Sequence, residues 1–480
     1  MEHDENTSEC DEGFFSHLQS AWNGIATKIK NKGRSDYQSL LACQYNYFIP
    51  KWSKVLELGV RDDKLMASLD PSYGILINPN LESISHCNCE EFEGEIRFLK
   101  TDYNDLELKE SKFDYIIFPD TFSYLEDILK TLKLIKPYCH NRTRIIVNFY
   151  SRLWQPFLYL LTILGMKRFQ RIANWVTRED VRIFMQLAGL EPVIVDQRIL
   201  FPLHLPVIST MLNKFLAPFP PFRFFCLTNW VVGRLSATVS TEAGVSVVCP
   251  CRNEAGNIFN ICRRMPGMGC ASELIFVEGN SCDDTLKKCF EAQGTFPYLD
   301  ISVFQQTGKG KGDAVRLGFD KSKHDILIIL DADMTVKPED LPLFVATLKS
   351  GVCEFVNGSR LVYAMEDKAM RFLNLLGNKF FSLAFTFLLG QPIKDTLCGT
   401  KVLLKSDYER LAKQRDLIGD IDPFGDFDLL FGASKLALKT MDLPIHYQAR
   451  TYGTTQISRF SHGLLLLRMC GVALLKLKMR

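Results

Sequence analysis

Asp331 and Asp333 stand one residue apart at the end of an apolar run, Ile326–Leu330, in the stretch ILIILDADM. Such a run reads as a strand buried on both faces of a parallel sheet. The carboxyl end of that strand is where open α/β sheets bind ligands. Two carboxylates placed there can hold a hard divalent cation, Mg2+ or Mn2+, against a diphosphate. Just upstream, GKGKGDAVRLGF sets glycines at 308, 310 and 312 beside Lys309 and Lys311. Glycine lets backbone approach a ligand closely, and lysine meets phosphate as a point charge. The GxxxxGK[ST] pattern of a Walker loop is absent.

The elements that must position these groups are legible as alternating apolar runs and helical spacing. The first half offers strands at Lys54–Leu58, Tyr73–Ile77, Tyr115–Phe118 and Arg144–Asn148. The second offers Val245–Cys249, Glu273–Val277, Ile301–Phe304, Ile326–Leu330 and Phe355–Asn357. Alternation of this kind predicts α/β folds with parallel sheets, two in succession. The polar stretch SATVSTEAG, 236–244, reads as a linker. The expected organisation is an extension over 1–37, a first domain over 38–235, the linker, and a second domain over 245–480.

Bulk properties narrow the class. Hydrophobic residues make up 47% and charged residues 23% of the 480, as in an ordinary folded protein. A formal net charge of +2 argues against a nucleic-acid partner. The acidic N-terminus does not read as a secretory signal, and the fifteen cysteines lack paired CxxC spacing, so reduced thiols and a cytoplasmic setting are expected. No window reaches the ~18 uninterrupted apolar residues of a spanning helix. Three apolar segments, Leu203–Val232, Phe372–Leu389 and the leucine-rich C-terminus, carry interspersed cations and are candidates for contact with a membrane surface.

The second half resembles family 2 glycosyltransferases of the GT-A fold, in particular the polyprenyl-phosphate sugar transferases, over Val245–Arg480. The opening VSVVCPCRNEAGNI matches a strand, a proline and a polar turn. The resemblance implies base and ribose contacts on Pro250, Arg252, Asn253 and Glu254. FVEGNSCDDT implies donor-side acids at Glu278 and Asp283, with the base, uracil or guanine, left open. Lys311 and Gly312 fall in the family's basic helix opening, and Asp331 and Asp333 take the metal role, Asp331 also touching the nucleotide-sugar. Arg360, Arg371, Asn374 and Asn378 fall where the family faces its acceptor. DTLCGTK places Asp395 near the donor sugar, and GDFDLLFGASK supplies Asp426 and Asp428, where such enzymes keep a catalytic acid. RTYGTTQISRF resembles a loop that closes over the diphosphate, with Arg450, Ser458 and Arg459; Gln456 stands where lysine is usual. The implied activity is inverting, metal-dependent transfer from a UDP- or GDP-sugar to a phosphate or hydroxyl acceptor, polyprenyl phosphate among them.

The first half resembles class I S-adenosylmethionine methyltransferases over roughly Gln38–Arg198, beginning with the strand and turn VLELG. Glu57, Gly59 and Asp102 remain at positions the resemblance assigns to the cofactor. Arg61 and Asp63 stand where glycines are expected, and Leu76 replaces the ribose-binding acid. Side chains then occupy the cofactor's space, so productive binding of S-adenosylmethionine is not expected. Two other readings stay open: a bifunctional methyltransferase and glycosyltransferase acting on one glycan or lipid, and a non-catalytic scaffold.

Overall fold

The computed structural model describes residues 35–59, 64–79, 94–108, 112–164, 174–362, 372–415, 425–448, 450, 452 and 459–479. The chain divides into two compact units, Met1–Leu235 and Ser236–Arg480. Residues 236–244 are tied to the second unit: the Val239 amide donates to Lys349 O, and Lys349 Nζ donates to Thr241 O.

The first unit is built on β1 (Lys54–Leu58), β2 (Tyr73–Ile77), β3 (Glu95–Leu99), β4 (Phe113–Pro119), β5 (Cys139–Tyr150), β6 (Leu190–Arg198) and β7 (Thr228–Leu235). They form one sheet in the order β3-β2-β1-β4-β5-β7-β6. Helix α1 spans 35–48; α2 (Lys64–Ser68), α3 (Ile128–Leu134), α4 (Gln155–Ile163) and α5 (Arg178–Leu187) follow. β1 pairs with β2 and β4, both parallel, so the chain reverses direction of winding between β1 and β4. Ligands of doubly wound sheets bind in that crevice.

The second unit repeats the plan with β8 (Val245–Cys251), β9 (Ser272–Glu278), β10 (Asp300–Gln305), β11 (Ile326–Ile329), β12 (Phe355–Ser359), β13 (Lys401–Leu404) and β14 (Thr440–Pro444). Their order is β10-β9-β8-β11-β13-β12-β14. The reversal lies between β8 and β11, which pair in parallel from Ile326↔Val245 to Ile329↔Val248. All four residues of β11 are buried, which is why its sequence lacks alternation. Helices α6 (Ala255–Arg264), α7 (Thr285–Thr295), α8 (Lys311–Lys321), α9 (Leu341–Lys349), α10 (Phe372–Leu389), α11 (Lys405–Ala412), α12 (Asp426–Lys435) and α13 (Arg459–Ala473) connect and cover the strands. α8 packs closely on β8, because a Cβ at Gly318 would strike the Val248 side chain.

The sheets are mixed, which corrects the expectation of parallel pairing throughout. β7 runs antiparallel to β5 and β6, and β13 antiparallel to β11 and β12. Apolar patterning reports burial and is silent on strand direction. Leu203–Val232, expected as one apolar surface segment, instead splits. Its end enters β7, where Trp230, Val231 and Val232 are buried between neighbouring strands. No described helix is long and apolar enough to cross a membrane.

Candidate active site

Three strand ends meet at the reversal in the second sheet. β8 delivers Pro250 to Glu254, β9 delivers Glu278, and the turn after β11 delivers Asp331 and Asp333. Lys311, at the first position of α8, sets its ammonium 2.7 Å from Asp331 Oδ1 and 3.6 Å from Asp426 Oδ2. Arg450 reaches back with one guanidinium nitrogen 2.9 Å from Asp333 Oδ2 and another 3.2 Å from Glu254 Oε1. Four carboxylates thus surround two cations and leave two formal negative charges in excess.

Electrostatics at these groups follow from that arrangement. Burial opposes the charge on Lys311, yet Asp331 and Asp426 hold its ammonium well above the usual lysine range, so it stays protonated. Burial pushes the Glu254 carboxyl up, and Arg450 and the Asn257 amide, 2.7 Å away, oppose that shift. Asp333 Oδ1 accepts from the Thr335 hydroxyl at 2.7 Å and the Thr335 amide at 3.1 Å, which fixes the carboxylate plane.

Glycines make room for this cluster. A Cβ at Gly399 would collide with Asp331 Oδ2 and Lys311 Nζ. Gly425, with φ +73, lies so close to Gly312 that a Cβ would stand 2.6 Å from its Cα. Only glycine meets both the left-handed backbone and the close approach. The donor set suits a hard divalent cation, since Asp331 and Asp333 are both partly exposed carboxylates. Among the described residues no three His, Cys, Asp or Glu side chains group as a metal site.

Other expected site residues make local contacts of their own. Glu278, expected to face a base, is buried, and its Oε1 accepts the Ser281 amide at 2.5 Å; the carboxylate holds its own loop, as a buried acid requires donors. Asp283 accepts from the Thr285 and Ala255 amides at 3.0 and 3.3 Å and from the Thr285 hydroxyl. Partial burial opposes ionisation there, but these bonds keep its carboxyl below the usual range. It thereby caps the start of α6. Asn253, at φ +56, accepts the Cys282 amide, and Arg252 is exposed beside Gly279.

Arg360 and Asp395 form a pair that the sequence reading did not foresee. The guanidinium fork meets both carboxylate oxygens at 2.7 and 2.8 Å, and the Arg360 amide adds a third bond at 3.0 Å. Arg360 also lies over the Tyr447 ring, 5.2 Å from its centroid. Arg360, expected to face the acceptor, and Asp395, expected near the donor sugar, are thus held by each other through Nε and one terminal nitrogen of the guanidinium. Asp428 is also paired. It lies two residues beyond Asp426, hence on another side of α12, and its Oδ2 accepts from Arg415 at 2.9 Å. Asp426 contacts the Lys311 centre. Arg371 and Ser458 lie outside the described residues, as do the side chains of Asn374, Asn378 and Arg459.

Sequence reasoning missed the supports: Thr285, Thr335, Asn257 and Tyr447. Thr335 carried a usable signal, since a hydroxyl two residues after an aspartate commonly bonds back to it.

In the first unit, the corresponding crevice is lined by the protein's own side chains. The Tyr103 hydroxyl donates to Gly59 O at 2.6 Å, and Glu57 folds so closely over Gly59 that a Cβ there would lie 2.7 Å from Oε1. Asp120, buried at φ +55, accepts from Tyr37 of α1 and from Asn148, which in turn accepts from Tyr45. Burial, then Asp120 and Glu57, raise the Tyr45 phenol well above its usual value, so it remains a donor. Asp102 accepts the Asn104 amide at 2.8 Å, and Leu76 is buried at the end of β2. Arg61 and Asp63 lie outside the described residues.

A sheet whose winding reverses between β8 and β11, with acids and a lysine at those strand ends, has the layout of a ligand site of the open α/β class. Residues 246–412 match the family model described as Glycosyl transferase family 2, so the second unit carries a domain of that family. Over 216 residues the chain is 28% identical to "Glycosyltransferase AglJ" of Haloferax volcanii, covering 45% of this chain and 66% of that protein. It is 25% identical over 221 residues to "Undecaprenyl-phosphate 4-deoxy-4-formamido-L-arabinose transferase" of Pseudomonas fluorescens, covering 45% and 60%. The chain therefore spans less than two thirds of the length of these relatives. Among solved structures, glucosyl-3-phosphoglycerate synthase from Mycobacterium tuberculosis is similar at 17% identity and a TM-score of 0.37, covering 49% of this chain and 80% of that one.

Proposed function

We propose that the second unit transfers a sugar, with inversion, from a nucleoside diphosphate sugar to a phosphate-bearing lipid of the polyprenyl type. The observation that carries this reading is the pairing of Lys311 and Arg450 with Asp331, Asp333, Asp426 and Glu254 at the sheet reversal. The excess of two negative charges matches one divalent cation, which Asp331 and Asp333 would hold. A bound Mg2+ or Mn2+ supplies charge neutralisation to the departing diphosphate. Lys311 and Arg450 each sit within reach of the same space and meet the diphosphate oxygens as it binds.

A phosphate acceptor is anionic near neutral pH and needs no general base. A hydroxyl acceptor needs one, and Asp426, beside Lys311, is the candidate. The printed name of the Pseudomonas relative, an undecaprenyl-phosphate transferase, favours the phosphate acceptor. For the first unit we infer a scaffolding or acceptor-positioning role without S-adenosylmethionine, since Tyr37, Tyr103 and Glu57 crowd the crevice where that cofactor would lie.

The test is Asp333→Ala, assayed for Mn2+-dependent hydrolysis of, or transfer from, UDP- and GDP-sugars. The variant is expected to lose activity while keeping its fold. Wild-type rates in the variant would remove the metal assignment and the mechanism with it.

A further inference from the structure

We propose that the first unit docks on an anionic lipid bilayer through an apolar face built by two insertions in its sheet. The inference stands apart from the transfer reaction, because it needs neither donor nor acceptor. Described residues of the insertions are 151–164, after β5, and 199–227, between β6 and β7. They meet where Trp154 Nε1 donates to Phe225 O at 2.8 Å and the Ser151 amide donates to Leu227 O at 2.7 Å.

Their surface chemistry is unlike that of a water-facing element. Helix α4, QPFLYLLTI, has no charged residue and buries only Leu158. A solvated helix shows a polar outer face, but here Phe157 is 50% and Ile163 66% exposed. The second insertion adds Val207 at 78% and Phe224 at 57% exposure. Exposed apolar surface gathered in one region marks an interaction site.

The face is held open by design of its base. Buried Asp196 binds Arg198 at 2.8 Å and Arg223 at 2.9 Å, which anchors the Phe222–Phe225 turn to β6. Asn213 closes the loop by accepting the Phe201 amide and donating to the Phe201 carbonyl. With these anchors the aromatic side chains cannot fold back into the core without breaking buried ion pairs.

Charge selects the occupant. The chain holds 55 acidic residues, and neither insertion contains one. Their charged side chains are all cations, including Arg152 and Lys214, both exposed. A two-fold dimer through this face would set cation against cation. An apolar surface that carries exposed cations and no carboxylate of its own suits acyl chains beneath anionic headgroups.

Flotation of the full chain with vesicles of phosphatidylcholine and phosphatidylglycerol tests the proposal, with pure phosphatidylcholine as control. The protein should float with the mixed vesicles and be released by salt. Phe157→Asp combined with Phe224→Asp should lower the bound fraction about ten-fold, since two apolar anchors become charged. Arg152→Glu with Lys214→Glu, at exposed positions that leave the fold intact, should abolish the preference for anionic vesicles. Failure of the wild type to float, or undiminished flotation of the Phe157/Phe224 variant, overturns the proposal. So does loss of flotation only on Leu383→Asp with Leu464→Asp in the second unit. A wild-type dimer in light scattering that the Phe157/Phe224 variant converts to monomer would identify a second copy as the occupant and overturn it too.

Discussion

Arg360→Ala isolates a feature that decides between two roles for one residue. In the structure the Arg360 fork closes on Asp395, whose side chain is 1% exposed against 13% for its partner. Removing the guanidinium leaves a buried carboxylate without its counter-charge, a change that costs about 3–5 kcal/mol. For a unit of this size each kcal/mol lowers Tm by about 2–4 °C, so a drop of roughly 10 °C is expected. The pH dependence carries the sharper signature. In the wild type burial opposes ionisation of Asp395, but Arg360 holds its carboxyl below the usual range. The stability it contributes is therefore present at neutral pH and is lost only as pH falls through that depressed value. In the variant the backbone amides of residue 360 and Leu397 still donate, but without the counter-charge burial raises the carboxyl relative to the wild type, so the cost is greatest at neutral pH and is relieved as the medium becomes acidic. The gap in Tm, measured by calorimetry on the full chain, should be largest near about pH 7.5 and narrow toward about pH 4.5. Asp395→Asn on the Arg360→Ala background should recover part of it. A Tm within about 2 °C of wild type at every pH would refute the reasoning and return Arg360 to the acceptor side.

Lys311→Met removes the ammonium between Asp331 and Asp426; a charge-assisted bond of about 1.5–3 kcal/mol predicts a rise of roughly 10- to 100-fold in KM for the nucleotide sugar, read from initial rates. Asp426→Asn should lower kcat with a hydroxyl acceptor and spare it with a phosphate acceptor, whereas Asp428→Asn, which breaks the contact with Arg415, should lower Tm and spare kcat with both; paired rate and melting measurements check both. Titration calorimetry with S-adenosylmethionine should give no binding heat, and micromolar binding would show that the crevice beside Gly59 opens for the cofactor.

Legibility followed burial. β1, β2, β8 and β11 were readable because strands buried on both faces are unbroken apolar runs. β14, TMDLP, is only partly buried, and β13 is four residues long, so neither stands out. β7 was hidden in the apolar stretch before it, where strand and surface helix have similar composition. In the site, Asp331, Asp333 and Lys311 stood out from type and spacing, and Glu254 and Arg450 only from the family resemblance. Their pairing did not, because Arg450 lies 117 residues from Asp333 and meets it only through the fold. The i, i+2 spacing of Asp426 and Asp428 does imply opposite sides of a helix, but which side faces Lys311 depends on how α12 packs. The Arg360–Asp395 pair is a tertiary contact between two residues that each had a plausible separate role.

The most direct measurement is the anomalous signal of manganese in crystals soaked with Mn2+ and a nucleoside diphosphate. The account predicts a peak bridging the carboxylates of Asp331 and Asp333, with the diphosphate beside Lys311 and Arg450. A nucleotide bound elsewhere, with no metal at those carboxylates, would contradict it.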